Sequence, residues 1–511
     1  MSSPFERIGV IGAGAMGRGI VQLYAQAGIP VVVYDTQSDA VDAAMLYLRE
    51  TFGKLHEKGR LSAAERDACL ARVTAAGSLQ DFAGCDLVIE AVIERLDVKR
   101  ELFKALEAIV TPQCVIASNT SSLSITAIGA ACAHPGRVAG YHFFNPVPLM
   151  KVVEVVRGAR TGDAAIARLV QLTRHAGHAP VVCIDTPGFI VNHAGRGFGT
   201  EALKALGEGV ADVPTIDRIL REHVDFGGQG FKLGPFELMD LTGLDVSHPV
   251  MESIYTQYYD EPRFKPSVIG AQRVAAGLYG RKTREGFYRY EAGVQQSVPE
   301  PDAAPAPAGL RVWIAPGPSR AALADLVVAL GAAVDDAAAP STDALVLLAP
   351  LGEDASSAAA ALRVDAGRAV AIDTLFPFAA RACKRRVLMT TPATSAQARE
   401  AAAGLFAADG AKVSVLRDSP GFVSQRVVAM IVSIGTEIAQ QRIASPEDID
   451  TAVRLGLGYP AGPLTMGDRL GAAKVLEVLE GIHRTTADPR YRPGPWLRRR
   501  AQLGLSLLHA D

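Results

Sequence analysis

The sequence feature that most constrains the fold lies near the amino terminus, where a short apolar run leads directly into Gly12-Ala-Gly14-Ala-Met-Gly17. A helical segment follows to about Gln26, and a second apolar run then ends at Asp35. A strand, Gly-x-Gly-x-x-Gly, a helix, a strand and an acid in this order are typical of a dinucleotide-binding unit. The pattern therefore predicts a Rossmann-type, doubly wound α/β sheet at the start of the chain.

Each residue of this pattern has a physical role in binding a dinucleotide. Gly12 permits the tight turn, Gly14 lets the backbone approach a pyrophosphate, and Gly17 lets the helix pack on the strand. The amino terminus of the helix supplies N–H donors and a partial positive charge for the phosphates. Asp35 would accept the ribose hydroxyls and repel a 2′-phosphate, so the predicted cofactor is NAD rather than NADP.

A histidine and a glutamate stand out in two later apolar runs. His142 ends the first run, before Phe143-Phe-Asn-Pro146, and Glu154 lies among valines in the second. An unpaired carboxylate is costly to bury, so we expect Glu154 to pair with His142. The pair would fix the tautomer and leave the other ring nitrogen free to accept a proton near neutral pH. Spacing alone leaves a core histidine capped by a surface glutamate as the alternative.

Further polar residues fall where apolar runs end. Glu94, Asn119 and Ser121 occupy such positions, as His142 does. In a doubly wound sheet the carboxyl ends of the strands line the ligand crevice, so these side chains are candidates for the site. Ser121 or Ser122 could instead cap the helix that follows.

The composition narrows the class of protein. A net charge of −2 and an isoelectric point near 6.6 give no reason to expect nucleic acid or an anionic membrane as a partner. The six cysteines are scattered, without a Cys-x-x-Cys pair, which is typical of a reduced cytoplasm and argues against disulfides and a metal site. The pattern of a signal peptide and that of a transmembrane helix are both missing from the sequence.

The second half of the chain partly repeats the first. Asp418-Ser-Pro-Gly-Phe-Val-Ser-Gln425 mirrors Asp185-Thr-Pro-Gly-Phe-Ile-Val-Asn192, and a Gly-Pro motif ending at Asp468 mirrors one ending at Asp240. Gln425 replaces Asn192, and the second half has no His-Phe-Phe-Asn-Pro motif, so it should be catalytically retired. We predict a Rossmann-type domain, an α-helical domain, a Pro-rich linker, a degenerate Rossmann-like segment and a second α-helical domain, in residues 1–184, 185–293, 294–309, 310–416 and 417–511.

Together these motifs resemble the 3-hydroxyacyl-CoA dehydrogenase family. The matching stretches run in the family's order over residues 7–290, and they are the glycine loop, Ser118-Asn-Thr-Ser-Ser122, His142-Phe-Phe-Asn-Pro146, Glu154 and Asp185 to Asn192. Two later stretches are also similar to the long 3-hydroxyadipyl-CoA dehydrogenases of phenylacetate degradation. They are Asp448-Ile-Asp-Thr-Ala-Val-Arg454 and the tail Arg490-Tyr-Arg-Pro493 with Leu497-Arg498.

The resemblance implies roles for individual residues. His142 would be the catalytic base, Glu154 its orienting partner, Ser121 a contact of the substrate hydroxyl, and Asn192 a contact across the cleft. The residues that would bind NAD are Gly12, Gly14, Met16, Gly17, Asp35, Glu94, Lys99, Asn119, Ser121 and Asn145.

The implied reaction is the NAD-dependent oxidation of a 3-hydroxyacyl-CoA to a 3-oxoacyl-CoA, with 3-hydroxyadipyl-CoA as the favoured substrate. A 3-hydroxybutyryl-CoA or general fatty-acid β-oxidation dehydrogenase is the alternative. A dehydrogenase of free hydroxy acids and a non-catalytic NAD-binding protein are weaker candidates, because the chain keeps its His/Glu pair. The resemblance also implies that the two helical domains pair within the chain, and a homodimer of the full chain stays open.

Overall fold

The computed structural model of the protein describes residues 3–510, which form two compact units. The first unit contains the chain up to His193 together with residues 441–457, and the second contains residues 194–440 and 458–510. Each unit has its own layered α/β sheet, and the remaining elements are mostly helices. The predicted fold class, a Rossmann-type sheet with helical and degenerate α/β parts, is confirmed.

The first unit is organised around an eight-stranded sheet. Its strands are β1 (Ile8–Ile11), β2 (Val31–Tyr34), β3 (Val73–Ala75), β4 (Leu87–Glu90), β5 (Val115–Ser118), β6 (Val138–Phe143), β7 (Val152–Arg157) and β8 (Ala179–Ile184). They lie in the order β3-β2-β1-β4-β5-β6-β7-β8. The β6–β7 pair is antiparallel and sets His142 directly opposite Glu154, whereas the other neighbours are parallel.

Helices cover this sheet. They are α1 (Ala15–Gln26), α2 (Ser38–Glu57), α3 (Ala63–Ala71), α4 (Leu96–Glu107), α5 (Ile125–Gly129) and α6 (Asp163–His175), followed by the short α7 (Val191–Ala194). Strands β1, β4 and β5 are buried at every residue, as expected for parallel strands covered on both faces. Their continuous apolar sequences are therefore a consequence of the layers on either side.

The second unit begins with the first helical region. Its helices are α8 (Arg196–Gly207), α9 (Val213–Arg218), α10 (Pro235–Thr242), α11 (Leu244–Gln257) and α12 (Val268–Ala275), and a π-helical turn, Ile219–His223, extends α9. A small hairpin of β9 (Tyr290–Glu291) and β10 (Val294–Gln295) follows.

A six-stranded sheet comes next. It contains β11 (Arg311–Ile314), α13 (Arg320–Ala329), β12 (Ala333–Asp335), β13 (Leu345–Leu348), α14 (Ala355–Leu362), β14 (Ala369–Ile372), β15 (Arg385–Thr390), α15 (Ala396–Ala407) and β16 (Lys412–Leu416). The strand order is β12-β11-β13-β14-β15-β16, and the β14–β15 pair is antiparallel, as the β6–β7 pair is. The sheet thus repeats the first one with two strands fewer.

The second helical region closes the chain. Its helices are α16 (Ser424–Gln440), α17 (Pro446–Gly456), α18 (Pro463–Leu470), α19 (Ala472–Thr486) and α20 (Pro495–Leu503). Within the second unit α16 packs against α8, where a Cβ atom on Gly197 would lie 3.1 Å from Met430 Cγ. Both first helices of the repeated regions therefore lie in one core.

The Pro-rich segment predicted to be a linker is held against the second sheet. Glu300 accepts two hydrogen bonds from Arg385, at 2.6 and 2.9 Å, and Asp302 accepts one from Lys412. A Cβ atom on Gly404 of α15 would lie 2.3 Å from the carbonyl oxygen of Ala304, so the segment runs directly over that helix. Its prolines keep it out of regular structure while its acids fasten it.

Residues 441–457 leave the second helical region and complete the first unit. The backbone oxygen of Ile443 accepts the N–H of Ile184 at 2.9 Å, and Asp448 Oδ2 accepts the N–H of Val182 at 3.2 Å. Helix α17 thereby packs on β7 and β8, at the edge of the sheet that carries Glu154.

Candidate active site

The glycine-rich loop between β1 and α1 leaves an open approach for a phosphate group. Gly12 has a φ of 102°, and a Cβ atom there would lie 2.4 Å from the backbone oxygen of Ala91. A Cβ atom on Gly17 would lie 1.7 Å from the carbonyl oxygen of Gly12, whereas one on Gly14 would meet nothing within 4 Å. No side chain of the described residues caps α1 at Gly14, so its first N–H groups are available to a pyrophosphate.

Asp35 is tied to the same loop. Its Oδ2 accepts the N–H of Ala13 at 2.8 Å, and its Oδ1 accepts the N–H of Gln37 at 3.1 Å. Met16 lies on the first turn of α1, half-buried against the core. A carboxylate at this position accepts ribose hydroxyls and repels a 2′-phosphate, so the donors and acceptors present fit NAD.

A buried lysine–carboxylate cluster lies beyond the end of β4. Lys99 Nζ is 2.6 Å from Glu90 Oε1 and 3.3 Å from Glu94 Oε2, and the lysine side chain is 1% exposed. The hydroxyl of Ser118 donates to the other oxygen of Glu90 at 2.7 Å. Because the ammonium group is enclosed by two acids, Lys99 holds the loop after β4 in place.

Glu94 in turn organises the loop after β5. Its Oε1 accepts the hydroxyl of Thr120 at 2.6 Å and the N–H groups of Ser121 and Ser122 at 3.0 and 3.1 Å. Burial raises the pKa of Glu94, but these hydrogen bonds and Lys99 outweigh burial and lower the pKa below its ordinary value. Glu94 is therefore ionised at neutral pH and fixes Ser121 through its backbone.

The two predicted asparagines beside the cofactor differ in their surroundings. Asn119 Oδ1 accepts the N–H of Phe143 at 2.8 Å, which joins the end of β5 to the end of β6. Asn145 is exposed, two residues beyond β6. Asn119 thus has a structural contact that the sequence did not reveal.

His142 and Glu154 form the buried pair at the end of β6. His142 Nδ1 lies 2.6 Å from Glu154 Oε2, and the two side chains are 7% and 0% exposed. The other carboxylate oxygen, Oε1, accepts the N–H groups of Ile190 and Val191, each at 2.8 Å. A carboxylate oxygen accepts and does not donate, so Oε2 favours the tautomer in which Nδ1 carries the proton and Nε2 presents its lone pair.

The surroundings of the imidazole are aromatic. The rings of Phe144 and Phe189 lie 4.5 and 5.9 Å from the ring of His142, measured between centroids. Asn192 follows Val191 on α7, whose backbone also supplies a donor to Glu154. An imidazole oriented in this way by a carboxylate can take a proton from a hydroxyl group and later return it.

Sequence reasoning missed Glu90 and the two backbone donors on Glu154. Glu90 could have been found by the argument used for Glu154, because it is an acid at the end of an apolar run and needs a buried partner. The donors at Ile190 and Val191 gave no sequence signal, because any residue type supplies a backbone N–H.

The described residues offer neither a metal site nor a membrane-spanning helix. Residues 3–510 contain no group of three or more His, Cys, Asp or Glu side chains that could hold a metal ion. Over the same residues, no helix combines the length and hydropathy needed to cross a membrane.

The chain matches known protein families in both of its halves. Residues 7–186 match the family description "3-hydroxyacyl-CoA dehydrogenase, NAD binding domain", and residues 188–290 and 421–506 match "3-hydroxyacyl-CoA dehydrogenase, C-terminal domain". The chain belongs to the 3-hydroxyacyl-CoA dehydrogenase family. It is an NAD-dependent oxidoreductase of this family, as the sequence predicted.

Individual relatives cover either the whole chain or its first half. The chain is 36% identical to the 3-hydroxyadipyl-CoA dehydrogenase of Escherichia coli K12, with 98% of both chains covered. It is 38% identical to a 3-hydroxybutyryl-CoA dehydrogenase of Bradyrhizobium diazoefficiens, over 57% of this chain and 97% of that relative. Shorter members of the family thus correspond to the first half alone.

Solved structures give the same result. The crystal structure of 3-hydroxybutyryl-CoA dehydrogenase from Escherichia coli K12 superposes with a TM-score of 0.85 at 34% identity, covering 98% of both chains. The (S)-3-hydroxybutyryl-CoA dehydrogenase of Ralstonia eutropha superposes with a TM-score of 0.54 at 37% identity, over 56% of this chain and 99% of that one.

Proposed function

We propose that the protein oxidises the 3-hydroxyl group of a 3-hydroxyacyl-CoA, with His142 as the general base and Glu154 as its orienting partner. The observation that carries this proposal is the 2.6 Å contact between His142 Nδ1 and Glu154 Oε2, which leaves Nε2 as the basic atom. NAD⁺, when bound, accepts the hydride that leaves C3 of the substrate.

The residues of the chain then have separate tasks. His142 Nε2 takes the proton of the 3-hydroxyl group, and Glu154 stabilises the imidazolium that forms. Ser121 contacts the substrate hydroxyl, and Asn192 holds the substrate from α7. In the reverse direction the protonated His142 returns the proton to the oxygen at C3.

The cofactor contacts follow from the loops already described. Gly12, Gly14 and Gly17 shape the phosphate approach, and Asp35 selects the ribose without a 2′-phosphate. The remaining contacts proposed on the cofactor side are Met16, Glu94, Lys99, Asn119, Ser121 and Asn145. Glu94 supports this assignment because it is ionised and fixes the backbone of the loop beside the crevice.

His142→Gln tests the assignment of the base. Removing general-base help of this kind lowers kcat by about 10²–10⁴-fold, while the affinity for NADH, measured by fluorescence, should stay near that of the wild type. A variant that kept more than about a tenth of the wild-type kcat would contradict the role of His142, given the usual size of that effect.

For the substrate we propose 3-hydroxyadipyl-CoA, as in phenylacetate degradation. The support is the likeness, over 98% of both chains, to a relative named 3-hydroxyadipyl-CoA dehydrogenase. The competing candidate is a 3-hydroxybutyryl-CoA substrate, the activity named for the superposed Escherichia coli crystal structure. Values of kcat/KM for 3-hydroxyadipyl-CoA, 3-hydroxybutyryl-CoA and 3-hydroxyhexanoyl-CoA decide between them. A preference for both monocarboxylyl substrates would contradict the dicarboxylyl proposal.

We also propose that the two helical regions pair within one chain, as the single helical domains of two subunits would. The packing of α8 against α16 supports this, as does the buried Glu201 of α8, which accepts hydrogen bonds from Arg490 at 2.8 Å and Tyr491 at 2.7 Å. A chain that ends near Tyr290 should therefore dimerise or aggregate. Finding it monomeric by light scattering would count against the pairing, and the same measurement on the full chain tests for a homodimer.

All six cysteines are free thiols, which supports a cytoplasmic location.

A further inference from the structure

The edge of the first sheet is completed by a helix from the second helical region. Helix α17 is anchored there near its start, since Asp448 Oδ2 accepts the N–H of Val182 on β8. Val182 pairs with Val155, the residue that follows Glu154 on β7. The other end of the helix, Gly456, reaches Val191. This is the residue whose N–H donates to Glu154 Oε1 at 2.8 Å.

The contact at Gly456 has no room for a side chain. A Cβ atom there would lie 2.9 Å from Cγ2 and 3.0 Å from Cγ1 of Val191, closer than carbon atoms approach without displacement. Val191 is 1% exposed and β-branched, so its χ1 angle offers few ways to move the methyl groups aside. A side chain at position 456 would therefore push the backbone of Val191.

We propose that Gly456 is a positioning residue for the reaction. Its missing side chain lets α17 seat Val191 so that the amides of Ile190 and Val191 hold Glu154, and Glu154 orients His142. This inference rests on the proposed function of His142 and Glu154. The second helical region thereby contributes to catalysis in the first unit, although its own repeat of the site is retired.

The internal repeat supplies an independent contrast. Ile216-Asp217 and Ile449-Asp450 are equivalent in the two copies, so His223 stands where Gly456 stands. Val191 corresponds in the same register to Ser424. His223 projects into the second sheet, with Nε2 3.1 Å from Asp373 Oδ2. In the copy with histidine the imidazole fills the space beside the sheet, and in the copy with glycine Val191 occupies that space.

The test is Gly456→Ala, assayed for reduction of acetoacetyl-CoA by NADH. We expect kcat to fall by about tenfold or more, since small displacements of catalytic groups cost up to about 10²-fold in rate. The affinity for NADH should change by less than about twofold, because the three atoms nearest to the added Cβ all belong to Val191, which is not among the residues proposed to bind the cofactor. The matched control is Gly53→Ala on α2, where the added Cβ would meet nothing within 4 Å and activity should not change.

A second variant separates displacement of Val191 from loss of folding. Val191→Ala removes the two methyl groups that an alanine at position 456 would strike, and it keeps the N–H. The double variant Gly456→Ala/Val191→Ala should recover the kcat of Val191→Ala alone. Recovery supports the inference.

Two results would overturn the inference. One is a kcat for Gly456→Ala equal to that of the wild type, and the other is a loss that Val191→Ala does not relieve. His142→Gln, assayed alongside, distinguishes a wrong positioning role for Gly456 from a wrong base assignment for His142. An inactive His142→Gln with a fully active Gly456→Ala would refute only the positioning role. An active His142→Gln would refute the base assignment itself.

Discussion

The two sheets of this protein share one backbone plan at the edge where the first carries the proposed catalytic pair, His142 and Glu154. In the first, Val182 pairs with Val155 and Val155 with Tyr141, and His142 comes next. In the second, the same steps lead from Val415 through Leu388 to Ile372, and Asp373 comes next. Asp373 therefore occupies the position of His142.

The partner of the histidine is also replaced in the second sheet. Val387 stands where Glu154 would be, and its carbonyl oxygen accepts the N–H of Asp373 at 3.0 Å. Around the carboxylate of Asp373, Gln425 Nε2 donates at 2.9 Å, and Ser424 and His223 contact the other oxygen. All of these side chains are buried, so internal hydrogen bonds close the space that a substrate would need.

The comparison distinguishes backbone features that both copies keep from side chains that differ between them. Both copies keep a residue with positive φ in the Asp-x-Pro-Gly-Phe turn, 49° at Phe189 and 51° at Phe422. In both copies a backbone hydrogen bond also joins the end of the edge strand to the helical region of the other copy. The N–H of Ile184 donates to the carbonyl oxygen of Ile443, and the N–H of Arg417 donates to that of Val210. The side chains around the strand end were exchanged. Asp373 is surrounded there by hydrogen-bond donors, because a buried carboxylate needs partners whether or not it takes part in a reaction.

The largest expected effect that sharpens this comparison comes from Glu154→Gln. An amide has one acceptor oxygen, which the N–H groups of Ile190 and Val191 would claim, so its NH₂ group would face His142 Nδ1. The proton would then move to Nε2, and kcat should fall by about 10²–10⁴-fold. The matched change in the other sheet, Asp373→Asn, should leave kcat within about twofold of the wild type. Equal losses in both variants would break the distinction between an active and a retired copy.

A stability effect should follow from Asp373→Ala. This change leaves His223 and Gln425 buried without their acceptor, and each buried polar group left unsatisfied costs about 1–3 kcal/mol. Thermal unfolding followed by circular dichroism should show a lower Tm, with unchanged NADH affinity in the part that remains folded. An unchanged Tm would mean that the network around Asp373 is not what closes the retired site.

The two sheets also differ in the loop that would bind a cofactor. The first has Asp35 beside an open glycine loop, while the loop after β11, Ala315-Pro-Gly-Pro-Ser319, lacks two of the N–H donors that a phosphate needs. Asp35→Ser should raise kcat/KM with NADPH relative to NADH by about tenfold, by removing repulsion of the 2′-phosphate. The variant should also bind NADH more weakly, because Asp35 holds the N–H of Ala13. A wild type that used both cofactors equally would contradict the role of Asp35.

The smallest effect concerns pH and two buried acids in the second unit. Burial raises the pKa of Asp217 to about 7, whereas His223 and Gln425 hold the pKa of Asp373 below its usual range despite burial. A raised carboxyl pKa contributes stability that is complete below the unfolded value of about 4 and is lost as the pH rises through about 7. The contribution of Asp373 is present above about pH 4 and is lost only on further acidification.

Tm values at pH 5 and pH 8 test these opposite shifts. The advantage of the wild type over Asp217→Asn should shrink between the two pH values, because the carboxyl group loses its proton over this interval in the folded protein. The advantage over Asp373→Asn should stay constant over the same interval. A constant difference for Asp217→Asn would contradict the raised pKa.

Much of the fold followed from local patterns. The glycine loop predicted the Rossmann unit because only glycine tolerates the backbone contacts found at Gly12 and Gly17. Repeated Asp-x-Pro-Gly-Phe turns predicted two helical regions, and the structure has the matching elements. The division into five segments, the residue roles and the pairing of the helical copies stay predictions.

The sequence by itself determined the family, the cofactor and the His142–Glu154 pair, because each depends on residue types at fixed spacing within one or two adjacent strands. The tertiary structure alone decided that residues 441–457 complete the first unit and that Asp373 fills the position of His142. The physical reason is that these contacts join residues hundreds of positions apart, or come from strand register. Backbone N–H groups and a missing Cβ atom make the decisive contacts with Glu154 and Val191, and neither carries a side-chain pattern that spacing could reveal.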